Sequence, residues 1–311
     1  MTCSDIVVMQ TSDLPKPAEE ALKCVFTLLR VPEAGGEREA FLAEHGAKVR
    51  AIAGTGKGRV DAALMARLPN LEIISVSSAG LDAIDTDAVA ARSIPIYNTS
   101  TILADDVADL ALWLILGTTR SLVRADKFVR NREWDKDNYF PLGKTIHGMK
   151  VGILGLGHIG KAIARRVELL GAEVGYTGRA AQPEAGYPYF SDLVQLAQWS
   201  ELLVVSCPAT ASTYHIVNAE VLRALGSEGI LVNIARGNII DEAALVSALE
   251  NNDLFAAGLD VFEHEPDVPQ AFVDNDRVIL LPHIGSATHG TRTRMWQSMV
   301  DALMQHFQIT D

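Results

Sequence analysis

The sequence has little cysteine, and its cysteines are not arranged for cross-linking or for metal binding. Only Cys3, Cys24 and Cys207 occur, and no two of them form a C-x-x-C pair. A disulfide framework or a structural zinc site needs a larger, regularly spaced set, so both are excluded and a reducing compartment, the cytoplasm, is expected. Acids and histidines show no ligand spacing either, and we predict no metal site.

Long apolar runs and an excess of positive charge are also missing. No stretch approaches the roughly 18 uninterrupted apolar residues that a membrane span needs. The segment before Leu14 lacks the basic start of a secretory signal. Acidic residues outnumber basic ones by 39 to 27, which gives a net charge of −12. Such a chain repels polyanions, so we expect neither nucleic acid nor a membrane as a partner.

Hydrophobic residues make up 48% of the 311 residues and occur in short runs that alternate with helical patterns. This alternation predicts βαβ units with parallel sheets, and the length suits two domains. Strands are predicted at residues 6–9, 25–29, 49–53, 72–77 and 94–97, and then at 150–154, 173–177, 202–206, 230–234, 256–260 and 278–281. Helices are predicted at residues 37–45, 61–67, 85–92, 104–117 and 288–308. The result is two α/β lobes with a cleft between them, connected by the helix over 104–117 and with the last helix returning to the first lobe.

A glycine motif, G-x-G-x-x-G, follows the strand at 150–154. In a dinucleotide site the first glycine permits a tight turn, the second lets the backbone approach a pyrophosphate, and the third allows close packing of helix on strand. The helix that follows presents free N–H groups to the anion. A glycine-rich turn without a ligand can carry the same letters, but here strand, helix and second strand fall in register. The residues expected at the pyrophosphate are Gly155, Leu156, Gly157, His158, Ile159 and Gly160.

The end of the strand at 173–177 indicates which dinucleotide binds. NAD-binding loops place an acid there to accept hydrogen bonds from the ribose 2′-hydroxyl. This chain instead has Thr177, Gly178 and Arg179. A guanidinium pairs with a 2′-phosphate, whereas a carboxylate repels it. The sequence therefore favours NADP(H) over NAD(H), although a solvated loop arginine explains Arg179 as well.

Three further segments follow strands of the second series: VNIARGNIIDEAAL, AAGLDVFEHEP and ILLPHIGSAT. Ligands of open α/β sheets bind at the carboxyl ends of the strands. These segments supply Arg236, Asp260 with Glu265, and His283. Taken alone, Arg236 can be a surface arginine, Glu265 part of a turn, and His283 a structural histidine. Their joint occurrence indicates an active site.

Taken in order and spacing, the glycine motif, the arginine, the Glu-Pro pair and the Pro-His-Ile-Gly segment resemble the D-isomer-specific 2-hydroxyacid dehydrogenases. The resemblance extends over essentially the whole chain, includes NTSTILADDVADLALWLIL, and is strongest to the NADPH-dependent glyoxylate/hydroxypyruvate reductases of the family. It implies two Rossmann-like or flavodoxin-like lobes, a homodimer, and the reduction of a small-molecule 2-oxoacid. It further implies a substrate domain over 1–100 and 287–311 and a dinucleotide-binding domain over 101–286.

The resemblance also implies roles that chemistry supports. Arg236 holds the substrate carboxylate and polarises the carbonyl, because its fork matches the oxygens of a 2-oxoacid. His283 donates the proton, since imidazole titrates near neutrality. Glu265 orients the ring and favours its protonated form. Substrate contacts are expected at Ser78, Ala79, Gly80, Arg236 and His283, although Ser78–Gly80 can also be a plain turn before a helix capped by Asp82.

The remaining cofactor contacts are likewise implied by the resemblance. They are Cys207, Pro208, Ile234, Ala235, Arg236, Asp260, His283, Gly285 and Ser286, with Cys207 as a small buried residue rather than a nucleophile. Trp134 is expected to pack between the lobes or at a dimer interface.

Alternative functions stay open. They are an NAD-linked oxidative dehydrogenase and a nucleotide-sensing binding protein of the same fold. A formate dehydrogenase is disfavoured, because those relatives have Gln where this chain has Glu265. The choice among glyoxylate, hydroxypyruvate and bulkier 2-oxoacids depends on pocket walls that the sequence does not reveal.

Overall fold

The computed structural model describes residues 5–309, so Cys3 lies outside the described residues. The chain divides into two units, one with the residues up to Leu103 and from Thr288 onward, the other with Ala104–Ala287. Each unit is an α/β structure built on a parallel sheet, which confirms the predicted fold class. Within residues 5–309, every helix is too short or too polar to span a bilayer.

The sheet of the first unit has the order β2-β1-β3-β4-β5. Its strands are β1 Val7–Gln10, β2 Thr27–Arg30, β3 Val49–Gly54, β4 Ile73–Val76 and β5 Ile96–Tyr97. The helices in between are α1 Lys16–Val25, α2 Gly35–His45, α3 Ala62–Ala66 and α4 Thr86–Ala91. Strands β1 and β4 are buried along their whole length, as expected for a parallel sheet covered on both faces.

The sheet of the second unit has the order β11-β10-β9-β8-β6-β7. Its strands are β6 Lys150–Leu154, β7 Glu173–Thr177, β8 Leu202–Val205, β9 Ile230–Asn233, β10 Ala256–Leu259 and β11 Val278–Leu280. The helices from the division onward are α5 Ser100–Thr119, α6 Leu122–Arg130, α7 His158–Leu169, α8 Leu193–Trp199, α9 Ala219–Leu225, α10 Glu242–Glu250, α11 Gln270–Val273 and α12 His289–His306. The strand order reverses at β6, and in open α/β sheets such a reversal opens a crevice for ligands.

The final helix, α12, belongs to the core of the first unit. Met299, Val300 and Leu303 are buried in one cluster with residues of β1 and α1, such as Val8 and Leu22. In addition, the Ser75 hydroxyl donates to the carbonyl oxygen of Met299 at 2.9 Å. The C-terminal segment thus completes one face of the first sheet.

Most predicted boundaries differ from the structure by one or two residues, and two of the differences have a clear physical cause. The predicted strand over 25–29 begins only at Thr27, because α1 continues through Val25 and buries Leu22 and Ala18. The helix predicted over 104–117 begins earlier, where the Asn98 side chain accepts the Ser100 N–H, and it continues to Thr119. Packing of Ala18 and Leu22 thus accounts for the first difference, and a local hydrogen bond at the start of α5 accounts for the second. No range was predicted for helices α1, α6, α8, α9, α10 and α11.

Candidate active site and dinucleotide-binding loop

The glycine motif follows β6 at the reversal of the strand order, and its first glycine cannot be replaced. Gly155 has φ +98°, which side-chain-bearing residues rarely adopt. A Cβ atom there would lie 2.7 Å from the Cα atom of Cys207, the residue that follows β8 by two positions. Gly155 therefore lets the chain turn sharply against the neighbouring strand end.

The other two glycines of the motif have different tasks. A Cβ on Gly160 would lie 2.1 Å from the Gly155 carbonyl oxygen, so α7 packs directly on the turn. At Gly157, by contrast, no atom of the described residues lies within 4 Å of an added Cβ. Helix α7 begins at the next residue, His158, with its unpaired N–H groups. An open space in front of a helix N-terminus fits a pyrophosphate.

Hydrogen bonds from neighbouring segments fix this glycine loop. The Gly155 N–H donates to Thr177 at the end of β7 at 2.9 Å. The Ser206 hydroxyl donates to the Gly155 carbonyl oxygen at 2.7 Å, and the Gln182 side-chain amide donates to the Leu156 carbonyl oxygen at 3.0 Å. The loop is thus held in place by the segments that follow β7 and β8.

Arg179 is an exposed cation close in sequence to this loop. Thr177 is buried at the end of β7, whereas Gly178 and Arg179 are exposed. Within residues 5–309, Arg179 forms neither an ion pair nor a hydrogen bond. The first acid after β7 is Glu184, which pairs with Lys161 at 3.8 Å. The guanidinium is therefore available for an anion.

The turn after β9 is organised by Asn233, which the sequence reading missed. Its side chain is fully buried, accepts the Ala235 N–H at 3.0 Å and donates to the Arg236 carbonyl at 2.8 Å. The signal was a polar residue inside the apolar run ILVNI. Arg236 itself is half-buried and donates from Nη1 to the Ala235 carbonyl at 2.6 Å.

Asp260 follows β10, and its carboxylate holds the loop after β11. Its two oxygens accept the N–H groups of Ile284 and Gly285, each at 2.8 Å. The side chain is almost completely buried. Burial raises the pKa of Asp260, and the two backbone hydrogen bonds lower it. In this structure the Asp260 carboxylate therefore stabilises the loop after β11. Its contact to the nicotinamide stays a prediction.

His283 and Glu265 are brought together as a hydrogen-bonded pair. Nδ1 of His283 lies 2.8 Å from Oε2 of Glu265. The other carboxylate oxygen, Oε1, accepts the N–H of Phe262 at 3.2 Å. The side chains are 45% and 35% exposed, so a small molecule can reach the ring. Within the described residues Nε2 forms no hydrogen bond, which leaves it available for proton transfer.

The other residues predicted to contact the cofactor lie in loops after the same strands. Cys207 and Pro208 follow β8, Ile234 and Ala235 follow β9, and Gly285 and Ser286 follow His283. Arg236, Asp260 and His283 come after β9, β10 and β11, which are neighbours in the sheet. One edge of this sheet thus gathers the predicted residues of the second unit.

In the first unit, the turn after β4 is shaped by its own side chains. The Ser78 hydroxyl donates to the Gly80 carbonyl at 2.9 Å, and Asn98 donates to the Ala79 carbonyl at 3.4 Å. The N–H groups of Ala79 and Gly80 donate no hydrogen bond within residues 5–309. The alternative interpretation, a plain turn before a helix capped by Asp82, does not hold, because Asp85 caps α4 by accepting the Ala88 N–H and α4 begins at Thr86.

Comparison with known proteins identifies the family. Residues 112–285 match the NAD binding domain of the D-isomer specific 2-hydroxyacid dehydrogenases. The chain belongs to this family, whose members are dinucleotide-dependent oxidoreductases.

Individual relatives are similar over most of the chain. Glyoxylate/hydroxypyruvate reductase A HPR2 of Arabidopsis thaliana is 42% identical over 302 residues, 97% of this chain and 96% of that protein. The 2-ketogluconate reductase of Gluconobacter oxydans is 42% identical over 259 residues, 83% of each chain. The NADPH-dependent glyoxylate/hydroxypyruvate reductase of Sinorhizobium meliloti, solved with NADP and malonate, has a TM-score of 0.87 and 39% identity, covering 98% of this chain and 94% of that one.

Proposed function

We propose that this protein reduces a small 2-oxoacid to the 2-hydroxyacid with NADPH as the electron donor. The observation that carries the proposal is the His283–Glu265 pair at 2.8 Å, on the sheet edge that also bears Arg236. The relatives named reductases support the direction of the reaction. The complex of the Sinorhizobium meliloti reductase with NADP supports the cofactor.

The cofactor is held by the glycine loop and by Arg179. The open space at Gly157, before the N-terminus of α7, accepts the pyrophosphate. Arg179 pairs with the 2′-phosphate, where NAD-specific chains have a carboxylate. When bound, the dihydronicotinamide supplies a hydride to the carbonyl carbon of the substrate.

The side chains of the protein bind the substrate and supply the proton. Arg236 binds the substrate carboxylate and polarises the carbonyl, which places the reacting carbon in a fixed orientation. Nε2 of protonated His283 donates its proton to the oxygen that becomes the hydroxyl. Glu265 fixes the orientation of the ring through its hydrogen bond with Nδ1. The balance is NADPH, 2-oxoacid and a proton giving NADP⁺ and 2-hydroxyacid.

We assign the substrate-binding role to the domain of residues 1–100 and 287–311 and the dinucleotide-binding role to residues 101–286. In the first domain, the free N–H groups of Ala79 and Gly80 bind the substrate carboxylate, with Ser78 shaping the turn. The substrate class is glyoxylate, hydroxypyruvate or a similar 2-oxoacid. The similarity to a 2-ketogluconate reductase extends this class to sugar-derived 2-oxoacids.

A homodimer in the cytoplasm completes the proposal. Large apolar side chains from α5 to the start of β6 are exposed, among them Trp113 (41%), Val129 (55%), Trp134 (65%) and Leu142 (98%). A second copy of the chain that covers this segment removes the apolar area from water. The cytoplasm is supported by Cys24 and Cys207, which are both free thiols.

A panel of 2-oxoacids assayed with NADPH and with NADH tests the function. Turnover of glyoxylate or hydroxypyruvate with a preference for NADPH is expected. A preference for NADH would replace the proposal by an NAD-linked dehydrogenase. Tight NADPH binding without turnover of any 2-oxoacid would indicate a nucleotide-sensing protein.

A further inference from the structure

Close to the predicted active site, His215 and Glu263 form a second histidine–glutamate pair. Nε2 of His215 lies 3.0 Å from Oε1 of Glu263. Their side chains are 29% and 16% exposed, clearly less than those of His283 and Glu265. A less accessible pair is poorly suited to react with a substrate and well suited to hold the backbone that carries it.

The position of His215 is fixed from several sides. Its ring stacks on Tyr214, with 3.9 Å between the ring centroids and 14° between the planes. Its backbone has φ +49°, and its N–H donates to the carbonyl of Asn238 at 2.9 Å. The residue is therefore tied by its backbone to the loop that follows Arg236, and by its ring to Glu263.

Glu263 is fixed equally well, and it lies two residues before Glu265. Its carboxylate accepts from His215 and from the Tyr214 hydroxyl, the latter at 3.3 Å. Its N–H donates to the Glu242 carboxylate at 2.9 Å. A Cβ on Gly237 would lie only 2.1 Å from the Glu263 nitrogen, so the two loops touch at this peptide.

Another acid, Glu242, lies where the two loops meet, and its carboxylate accepts the Glu263 N–H. Burial raises the pKa of Glu242, the hydrogen bond from the Glu263 N–H lowers it, and repulsion by the Glu263 carboxylate raises it. His264 and His215 lower it. The His215 ring and the Glu242 carboxylate thus hold Glu263 from two sides, one through its side chain and the other through its backbone.

We propose that His215 and Glu263 are positioning residues, which clamp the loop after Arg236 onto the loop that carries Glu265. The inference rests on the proposed function, because it assigns the clamp a reaction to serve. The two side chains do not touch the substrate. They fix the distance between Arg236, which binds the substrate carboxylate, and Glu265, which orients His283. Loss of the clamp lets the two loops move independently, and small misplacements cost much of the rate.

Four variants test the clamp. Glu263→Ala removes the acceptor, and His215→Asn removes the ring while keeping a residue that tolerates positive φ. We expect each to lower kcat about 10- to 100-fold with the KM for NADPH nearly unchanged. The double variant is expected to be no slower than the worse single variant, since the residues act as one unit. Glu263→Gln keeps an acceptor for His215 and is expected within about threefold of the parent.

The matched control is His306→Ala. His306 lies 3.7 Å from Glu72 in the first unit, so this variant removes another histidine–glutamate pair outside the proposed clamp. We expect its kcat to equal that of the parent. Three outcomes would each overturn the clamp. The first is parental kcat in Glu263→Ala, the second is a multiplicative loss of kcat in the double variant, and the third is an equal loss of kcat in Glu263→Ala and Glu263→Gln.

Hydrogen exchange separates the failure of the clamp from the failure of the proposed function. In Glu263→Ala, peptides over 236–240 and 262–266 are expected to exchange faster, while those of the first unit remain as in the parent. If the parent reduces no 2-oxoacid, the proposed function fails and the exchange result still decides whether the pair clamps the loops. Unchanged exchange in both segments would overturn the inference.

Discussion

The backbone N–H of His283 donates to the carbonyl oxygen of Asp260 at 2.8 Å. The carboxylate of the same aspartate accepts the next two N–H groups along the chain. One buried residue thus accepts three hydrogen bonds from consecutive N–H groups, and the first of these belongs to a histidine whose backbone has φ +55°. The backbone of the proposed proton donor is thus held by Asp260, the residue that follows β10, and its ring is oriented by Glu265.

Asp260→Asn tests this support. The amide nitrogen cannot accept from an N–H, so one of two buried donors loses its partner. We expect a loss of about 1–3 kcal/mol in the free energy of unfolding, and a lower kcat. Urea unfolding and steady-state kinetics measure the two effects. As a control, Asp192→Asn at the N-cap of α8 is expected to be nearly neutral, since Asn caps as well as Asp. Equal behaviour of the two variants would contradict the support.

His283→Ala tests the proton donor. A general acid contributes about 10²- to 10⁴-fold, and we expect kcat to fall by that order while NADPH still binds. His283→Asn serves as the companion variant, because Asn tolerates the left-handed backbone and separates loss of the ring from strain. The two variants should be similarly inactive. Turnover of glyoxylate at the parental rate in either one would refute the assignment.

Arg179→Ala tests the nucleotide preference. Removing a guanidinium that pairs with a phosphate costs about 1.5–3 kcal/mol, or roughly 10- to 150-fold in the KM for NADPH. The KM for NADH should hardly change, since NADH has no 2′-phosphate. Arg223→Ala, another exposed arginine, on helix α9, is the control and should leave both values as they are. A parallel loss for NADH and NADPH would mean that Arg179 does not face the 2′-phosphate.

The cysteines should differ sharply in reactivity. Burial raises the pKa of the Cys207 thiol to about 12, so almost no thiolate exists at pH 8. Cys24 is exposed. We expect iodoacetamide to modify Cys24 and to spare Cys207 in the native protein, and to modify both in urea. Mass spectrometry of the peptides gives the result for each site. Rapid native labelling of Cys207 would show that the turn at Gly155 opens readily.

Glu72 should stabilise the protein only above acidic pH. Its hydrogen bond from Arg50, 3.0 Å between Nη2 and Oε2, is the main cause of its lowered pKa. Because the folded pKa lies below the unfolded one, the contribution is complete above the unfolded value and is lost as pH falls through the folded value. Both side chains are 41% exposed, so we expect less than about 1 kcal/mol.

The measurement is urea unfolding of the parent and of Glu72→Gln at several pH values. The difference between the two proteins is expected to be present at pH 7 and to vanish in acid. Added salt should reduce the difference at pH 7, since it screens exposed charges. A difference that grows on acidification would contradict the sign of the shift.

Much of the site follows from local sequence. Gly155, Gly157 and Gly160 could be recognised because strand, turn and helix are contiguous in the sequence and Gly160 packs on Gly155 within the same motif. Arg236 and His283 could be placed at strand ends because apolar runs mark where buried strands stop. The family resemblance then supplied their order and proposed roles.

Other parts could not be read from the sequence, because they depend on distant contacts. His215 and Glu263 are 48 positions apart, and neither segment contains a sequence pattern that predicts contact with the other. Helix α6 was missed because it begins after Ser121 in a left-handed conformation and buries none of its residues completely. The end of α1 depends on the burial of Leu22, which packs in one cluster with residues of α12 from the far end of the chain.

The adjacency of β9, β10 and β11 has a consequence for variation in this protein. Neighbouring strands are spaced about 4.8 Å apart by their hydrogen bonds, and that spacing is transmitted to the residues at their ends. The helical connections on the way, over 242–250 and 270–273, can lengthen or shorten without altering it. A shift of one residue in strand register, however, would move Arg236, Asp260 or His283 along the edge and turn its side chain to the other face. Insertions in the helical connections should therefore leave the relative positions of these three residues unchanged, whereas a shift in strand register should alter them.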